Sequence, residues 1–185
     1  MQGFEMVEIN TLDLKSLIRS YKDFPKEGVV FRDINPLFRN SQAITEISRE
    51  FIKEDESQDI DLIVGIESRG FTIASLLAGN FNKGIVLVRK AGKLPGETLK
   101  RNYEIEYGNA TIEIQKDAVT ANQKVLIADD LIATGGTALA TAELIQELGG
   151  VVFGFAFIID LIHLGGSDKL RNKGYKVNSL VKYDD

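Results

Sequence analysis

The sequence contains no cysteine. Disulfides, thiolate nucleophiles, zinc–thiolate centres and iron–sulfur ligation are therefore excluded, and a reducing cytosol suits such a chain. Histidine occurs once, in Leu161-Ile162-His163-Leu164, with no serine or cysteine motif beside it. A nucleophilic triad has no basis, and His163 reads as structural. No apolar run approaches the roughly 18 residues of a membrane span, and Met1 to Leu14 lacks the basic-then-apolar order of a secretion signal. The expectation is a soluble, unprocessed chain, in which the sequon Asn109-Ala110-Thr111 carries no meaning. Neither a Walker A loop nor a G-x-G-x-x-G fingerprint is present, so ATP hydrolysis and dinucleotide binding through those motifs have no support. Basic excess is also missing. The 27 acidic and 22 basic residues leave a net charge of −5, which argues against a broad footprint for nucleic acid or anionic membrane. Any phosphate site must be local.

What is present suits one compact domain spanning 1–185, with 44% hydrophobic residues to fill its core. Leu14, Leu17, Ile18 and Tyr21 recur at helical spacing and predict an opening amphipathic helix that stops before Pro25; Ile44, Ile47 and Phe51 predict a second over 40–54. The run Asp61-Leu62-Ile63-Val64-Gly65-Ile66 is apolar on both faces, as in a buried parallel strand, and similar runs follow at 84–88, 124–128 and 151–159. Helical segments at 71–81 and 137–148 lie between them. The alternation predicts an α/β fold with a doubly wound, mainly parallel sheet flanked by helices. Residues 89–102 interrupt the pattern: basic, with two glycines and a proline and no clean period, they read as a lid loop.

The most informative segment is Val125-Leu126-Ile127-Ala128-Asp129-Asp130-Leu131-Ile132-Ala133-Thr134-Gly135-Gly136-Thr137, a buried strand ending in two acids, followed by a Thr/Gly turn and a helix. Open α/β sheets bind ligands at the carboxyl ends of their strands. Ala133, Thr134, Gly135, Gly136 and Thr137 offer consecutive backbone N–H groups at a helix N-terminus, which favours a phosphate. Asp129 and Asp130 can accept hydrogen bonds from vicinal hydroxyls or orient metal-bound water; a strand-end turn with solvated acids is the plain alternative. Glu67-Ser68-Arg69-Gly70 repeats the arrangement after strand 61–66, with Arg69 supplying a charged fork.

The 125–137 segment resembles the phosphoribosyl pyrophosphate (PRPP) signature of type I phosphoribosyltransferases. Asp23-Phe24-Pro25-Lys26-Glu27-Gly28-Val29-Val30-Phe31-Arg32-Asp33-Ile34, Glu67-Ser68-Arg69-Gly70-Phe71 and Arg89-Lys90-Ala91-Gly92-Lys93-Leu94-Pro95-Gly96 narrow the resemblance to the adenine phosphoribosyltransferases. The resemblance implies conversion of adenine and PRPP to AMP and pyrophosphate in purine salvage, in the cytoplasm, by a homodimer. It implies a hood formed by about residues 1–36 and a lid at about 89–102. It places the 5′-phosphate on 133–137, with the ribose hydroxyls at Asp129 and Asp130. Pyrophosphate falls to Ser68, Arg69, Gly70, Arg89, Lys90 and Lys93, and adenine to Val30, Phe31, Arg32 and Leu161. Glu106, Arg69 and Lys90 are the implied catalytic residues. Glu104 and Glu106 share a strand face, so spacing does not choose between them; only the family pattern favours Glu106. Mg²⁺ is implied as cofactor, held through PRPP oxygens and water rather than directly by the protein. Asp160-Leu161 departs from the family's Glu-Leu. Two other readings share the fold: a xanthine or hypoxanthine-guanine phosphoribosyltransferase, and a non-catalytic PRPP-sensing regulator, which would carry a nucleic-acid surface.

Overall fold

A computed structural model describes residues 12–52, 59–105 and 108–185. The chain divides into two compact units, Met1–Ile47 and Ser48–Asp185.

In the first unit, α1 (Leu14–Leu17) is a single turn whose Asp13 side chain accepts a hydrogen bond from the Lys15 backbone N–H. The helix predicted to run on toward Pro25 stops there, because Ile18 turns extended and the chain enters β1 (Arg19–Lys22). β1 pairs antiparallel with β2 (Val30–Asp33), with Tyr21 opposite Phe31. Cross-strand pairing overrides a helical spacing too short to propagate alone. Two short-range devices close the ribbon: Asp23 adopts φ 58°, and its carboxylate accepts from the Gly28 N–H at 2.8 Å. α2 (Asn35–Arg39) follows, with Pro36 in its first turn, where a missing N–H costs nothing. α3 (Ser41–Ile52) satisfies the helix predicted over 40–54 within its described length.

The second unit is built on a seven-stranded sheet in the order β5-β6-β4-β3-β7-β8-β9. β3 (Leu62–Ile66), β4 (Gly84–Lys90), β7 (Lys124–Ile132), β8 (Val151–Leu161) and β9 (Val177–Tyr183) run parallel, joined by α4 (Gly70–Phe81), α5 (Gly136–Glu147) and α6 (Gly166–Asn172). β5 (Thr98–Ile105) and β6 (Gly108–Gln115) add an antiparallel hairpin beside β4. The mainly parallel, helix-flanked sheet agrees with the sequence pattern. β3 is buried at every position, as its unbroken apolar run requires. Val64, Ile127 and Phe157 pack in one core with Leu144 and Ile145 of α5, while Ala74 of α4 covers Gly65 on the alternate face.

Residues 89–102 are not a structureless loop. Arg89 and Lys90 end β4, residues 91–97 form a turn, and Thr98 begins β5. β5 is an edge strand that pairs with β6, and Lys100, Arg101 and Asn102 interrupt the alternation by which Leu99 and Tyr103 pack on the core, which hides it in the sequence.

Candidate active site

The C-terminal ends of β3 and β7 lie side by side, since the two strands pair in parallel. Beyond β7 opens a cleft of about 240 Å³ lined by Arg69, Asp129 and Asp130, by the whole turn from Ala133 to Thr137, and by Phe157 beneath. Gly135 precedes α5 at φ 75°, and no side chain caps that helix. Its first N–H groups are therefore left for solvent or an anion, and the helix dipole adds its positive end.

The turn is shaped by a contact with α6. Gly166 donates its N–H to the Ala133 carbonyl at 3.0 Å. A Cβ on Gly166 would fall 2.2 Å from that oxygen and 2.7 Å from the Gly135 nitrogen, so only glycine admits the approach. A Cβ on Gly70 would likewise fall 2.7 Å from an Asp129 carboxylate oxygen. The first turn of α4 is thus pressed against the acids of β7.

Asp130 is 5% exposed and pairs with Arg69, Nη2 to Oδ2, at 2.8 Å; its N–H donates to the Asp129 Oδ1 at 2.9 Å. Burial pushes Asp129 well above the usual carboxylate range, the adjacent Asp130 charge pushes the same way, and Arg69 opposes. Asp130 is also raised by burial, against the pull of Arg69. Two crowded carboxylates with few donors are poised to accept hydrogen bonds from a diol that replaces water.

At the end of β3, Glu67 is held differently. Its Oε2 accepts from Arg89 Nε at 3.3 Å and from the Lys90 N–H at 2.9 Å, and its Oε1 takes the Lys93 ammonium. Arg89 also lies 5.9 Å from the Phe71 ring centroid. Burial works to raise the Glu67 pKa, but the Lys93 and Lys90 hydrogen bonds and the Lys93 and Arg89 charges hold it below the usual value.

Of the residues singled out from sequence, Arg69, Asp129, Asp130 and 133–137 share the cleft. Ser68 and Gly70 flank Arg69 at the head of α4. Arg89 and Lys93 converge on Glu67, with Lys90 bound there through its backbone. Val30, Phe31 and Arg32 lie on β2 of the first unit, where Phe31 meets Phe24 edge-on at 5.2 Å. Leu161 ends β8, and before it Asp160 is fully buried with both carboxylate oxygens lacking a hydrogen-bond partner among the described residues. His163 sits exposed on a short 3-10 turn. Glu106 lies outside the described residues, and the Glu104 side chain is likewise not described. Sequence reasoning missed Gly166, Glu67 and Glu113. Glu67 stood beside Arg69 in a recognised segment; Gly166 and Glu113 had no local signal.

A model of the phosphoribosyl transferase domain matches residues 34–181. The adenine phosphoribosyltransferase of Nitrosopumilus maritimus is 51% identical over 172 residues, 93% of this chain and 100% of that protein. The chain belongs to the adenine phosphoribosyltransferase family.

Among solved structures, the family member from Thermoanaerobacter pseudethanolicus superposes with a TM-score of 0.87 at 45% identity, covering 92% of this chain and 98% of its own. That from Saccharomyces cerevisiae, complexed with an imino-altritol bisphosphate and adenine, gives 0.84 at 43% identity, covering 90% and 96%. For this adenine phosphoribosyltransferase family member, no described helix is long and apolar enough to cross a membrane.

Proposed function

We propose that the chain transfers the phosphoribosyl group of PRPP to N9 of adenine, giving AMP and pyrophosphate in purine salvage. The observation that carries this reading is the cleft at the end of β7, where an uncapped helix N-terminus, the buried Asp130 and the half-buried Asp129 meet Arg69. The relatives supply the base: one of them was crystallised with adenine.

In this reading the 5′-phosphate sits on the N–H groups of 133–137, while Asp129 and Asp130 accept from the ribose hydroxyls. Ser68, Arg69 and Gly70 take the diphosphate, with Arg89, Lys90 and Lys93 offsetting charge as it departs. The C1–N9 bond forms as the C1–O bond to pyrophosphate breaks, through an oxocarbenium-like transition state. Holding the two anionic groups apart with the base between them supplies most of the rate. Glu106 manages the N9 proton. By the family resemblance, Val30 and Arg32 read the adenine edge through backbone groups, Phe31 packs on the ring, and Leu161 is likewise assigned to the base. A carbonyl facing the exocyclic amine rejects a 6-oxo purine, because an unmatched buried pair is costly.

No group of three or more His, Asp or Glu side chains able to hold a metal occurs among the described residues. In this reading Mg²⁺ would be carried by PRPP oxygens and water, with Asp129 and Asp130 able to orient the water. The ion neutralises diphosphate charge when bound. A homodimer and a cytoplasmic location belong to the same reading.

The test is product formation from PRPP and Mg²⁺ with adenine, hypoxanthine, guanine and xanthine offered separately, alongside Arg69→Ala and Glu106→Ala. AMP from adenine alone is expected, with both variants impaired. Turnover of a 6-oxo purine would reassign the base, and PRPP binding without product would make the chain a sensor.

A further inference from the structure

The basic turn after β4 has an anchor that the reaction itself does not require. Glu113, on β6, is 1% exposed and lies directly across the sheet from Arg89. Its Oε1 accepts the backbone N–H groups of Lys93 at 2.8 Å and Leu94 at 3.0 Å. Its Oε2 accepts from Thr98 Oγ1 at 3.2 Å and lies 3.7 Å from Lys100 Nζ. One buried carboxylate therefore grips both shoulders of the 91–97 turn. Burial works to raise its pKa, but the N–H groups of Leu94 and Lys93 and the Thr98 hydroxyl hold it below the usual range, so it stays ionised at neutral pH.

A solvated turn of glycine, proline and lysine would otherwise sample many conformations. Here the backbone at Lys93 is fixed twice, by Glu113 at its N–H and by Arg89 Nη1 at its carbonyl, 3.2 Å away. The Lys93 ammonium and the Arg89 guanidinium are both thereby brought to Glu67. One carboxylate facing two cations leaves positive charge over, beside Ser68, Arg69 and Gly70. Arg69 itself pairs with Asp130 in the cleft.

We propose that Glu113 is a positioning residue for the diphosphate end of the site: by gripping the backbone of the 91–97 turn it aims Lys93 and Arg89 at the β3–α4 loop. The proposal rests on the reading that this loop takes the diphosphate. Glu113 touches neither substrate. It lowers the cost of ordering the cations, so its loss weakens diphosphate binding and leaves adenine binding alone.

The experiment compares wild type with Glu113→Gln, which preserves volume but removes the charge, and with Thr98→Val, which removes one donor and leaves the carboxylate. Inorganic pyrophosphate with Mg²⁺ is titrated calorimetrically, KM is measured for PRPP and adenine separately, and amide hydrogen exchange is followed at Lys93 and Leu94 in the ligand-free protein. For Glu113→Gln, pyrophosphate affinity and KM for PRPP are expected to worsen about tenfold or more, as when a charged hydrogen bond is lost. KM for adenine stays within about twofold, the two amides exchange faster, and Thr98→Val shows a smaller change in the same direction. Unchanged exchange with unchanged pyrophosphate binding would overturn the proposal. So would an equal worsening of both KM values with a lowered Tm, the mark of a merely structural residue. If wild type binds pyrophosphate but makes no AMP, the proposed reaction fails while the Glu113 comparison still decides the inference.

Discussion

The ends of β3 and β7 are built from the same parts, a buried parallel strand, an acid, a short turn and a helix, yet the pKa values of their acids are displaced in opposite directions. At β3, Glu67 is drawn below the usual carboxylate range, because the end of β4 brings Arg89 and Lys93 to it. At β7, burial raises both Asp129 and Asp130 against the pull of Arg69, and the neighbouring Asp130 charge raises Asp129 further. The strand and its acid do not decide the outcome; the neighbour in the sheet does. The result is division of labour. The β3 end keeps its cations organised around a fixed anion, whereas the β7 end stores unsatisfied acceptor capacity for a ligand to relieve.

Removing Arg69, the cation paired with Asp130, should break the comparison most severely. Arg69→Ala is expected to lower kcat/KM about 10²–10³-fold, as for loss of a preorganised charge stabiliser, and to lower Tm at neutral pH because Asp130 stays buried without its partner; steady-state kinetics with varied PRPP and thermal scans measure the two. Next is Gly166→Ala, which touches only the β7 side. Its Cβ forces the 133–135 backbone aside, and a displacement of this kind costs about 100-fold in kcat/KM. Pyrophosphate binding at the β3 side should survive, and calorimetry would show it.

Asp129→Asn sharpens the contrast in stability. A folded pKa raised above the unfolded value means that ionisation costs the folded state. That cost is absent below the ordinary aspartate pKa and complete above the raised one. The variant should therefore melt higher than wild type at neutral pH, on the order of 2–4 °C, and lose this advantage in acid, as thermal scans across pH would reveal. Glu67 and Glu113 act with the opposite sign, stabilising above the ordinary glutamate pKa and losing that as pH falls through their lowered values. The smallest effect lies away from both loops. Arg101 pairs with Glu143 at 3.5 Å and with Glu147 on the surface of α5, and Arg101→Ala should cost about 0.5 kcal/mol by denaturant titration, without kinetic change.

Much of the parallel sheet was legible because fully buried strand segments leave unbroken apolar runs, as at 62–66 and 125–128. The phosphate turn was legible because Asp129 to Thr137 is contiguous. The ribbon of β1 and β2 was not, since Leu14, Leu17, Ile18 and Tyr21 satisfy helical spacing while Tyr21 owes its conformation to Phe31 ten residues on. The edge strand β5 was hidden by its polarity, and Glu113 stood in an alternating strand where a glutamate ordinarily faces water.

The sequence by itself determined the strands β3, β4, β7 and β8, the helices α4 and α5 and the chemistry of the phosphate turn, because periodicity and local backbone donors are properties of consecutive residues. Only the tertiary structure decided in which direction the pKa of each of these acids moves, which cations they hold and why residue 166 is glycine. Those depend on groups tens of residues apart sharing a few ångströms of poorly hydrated space, where distance and burial set the energy.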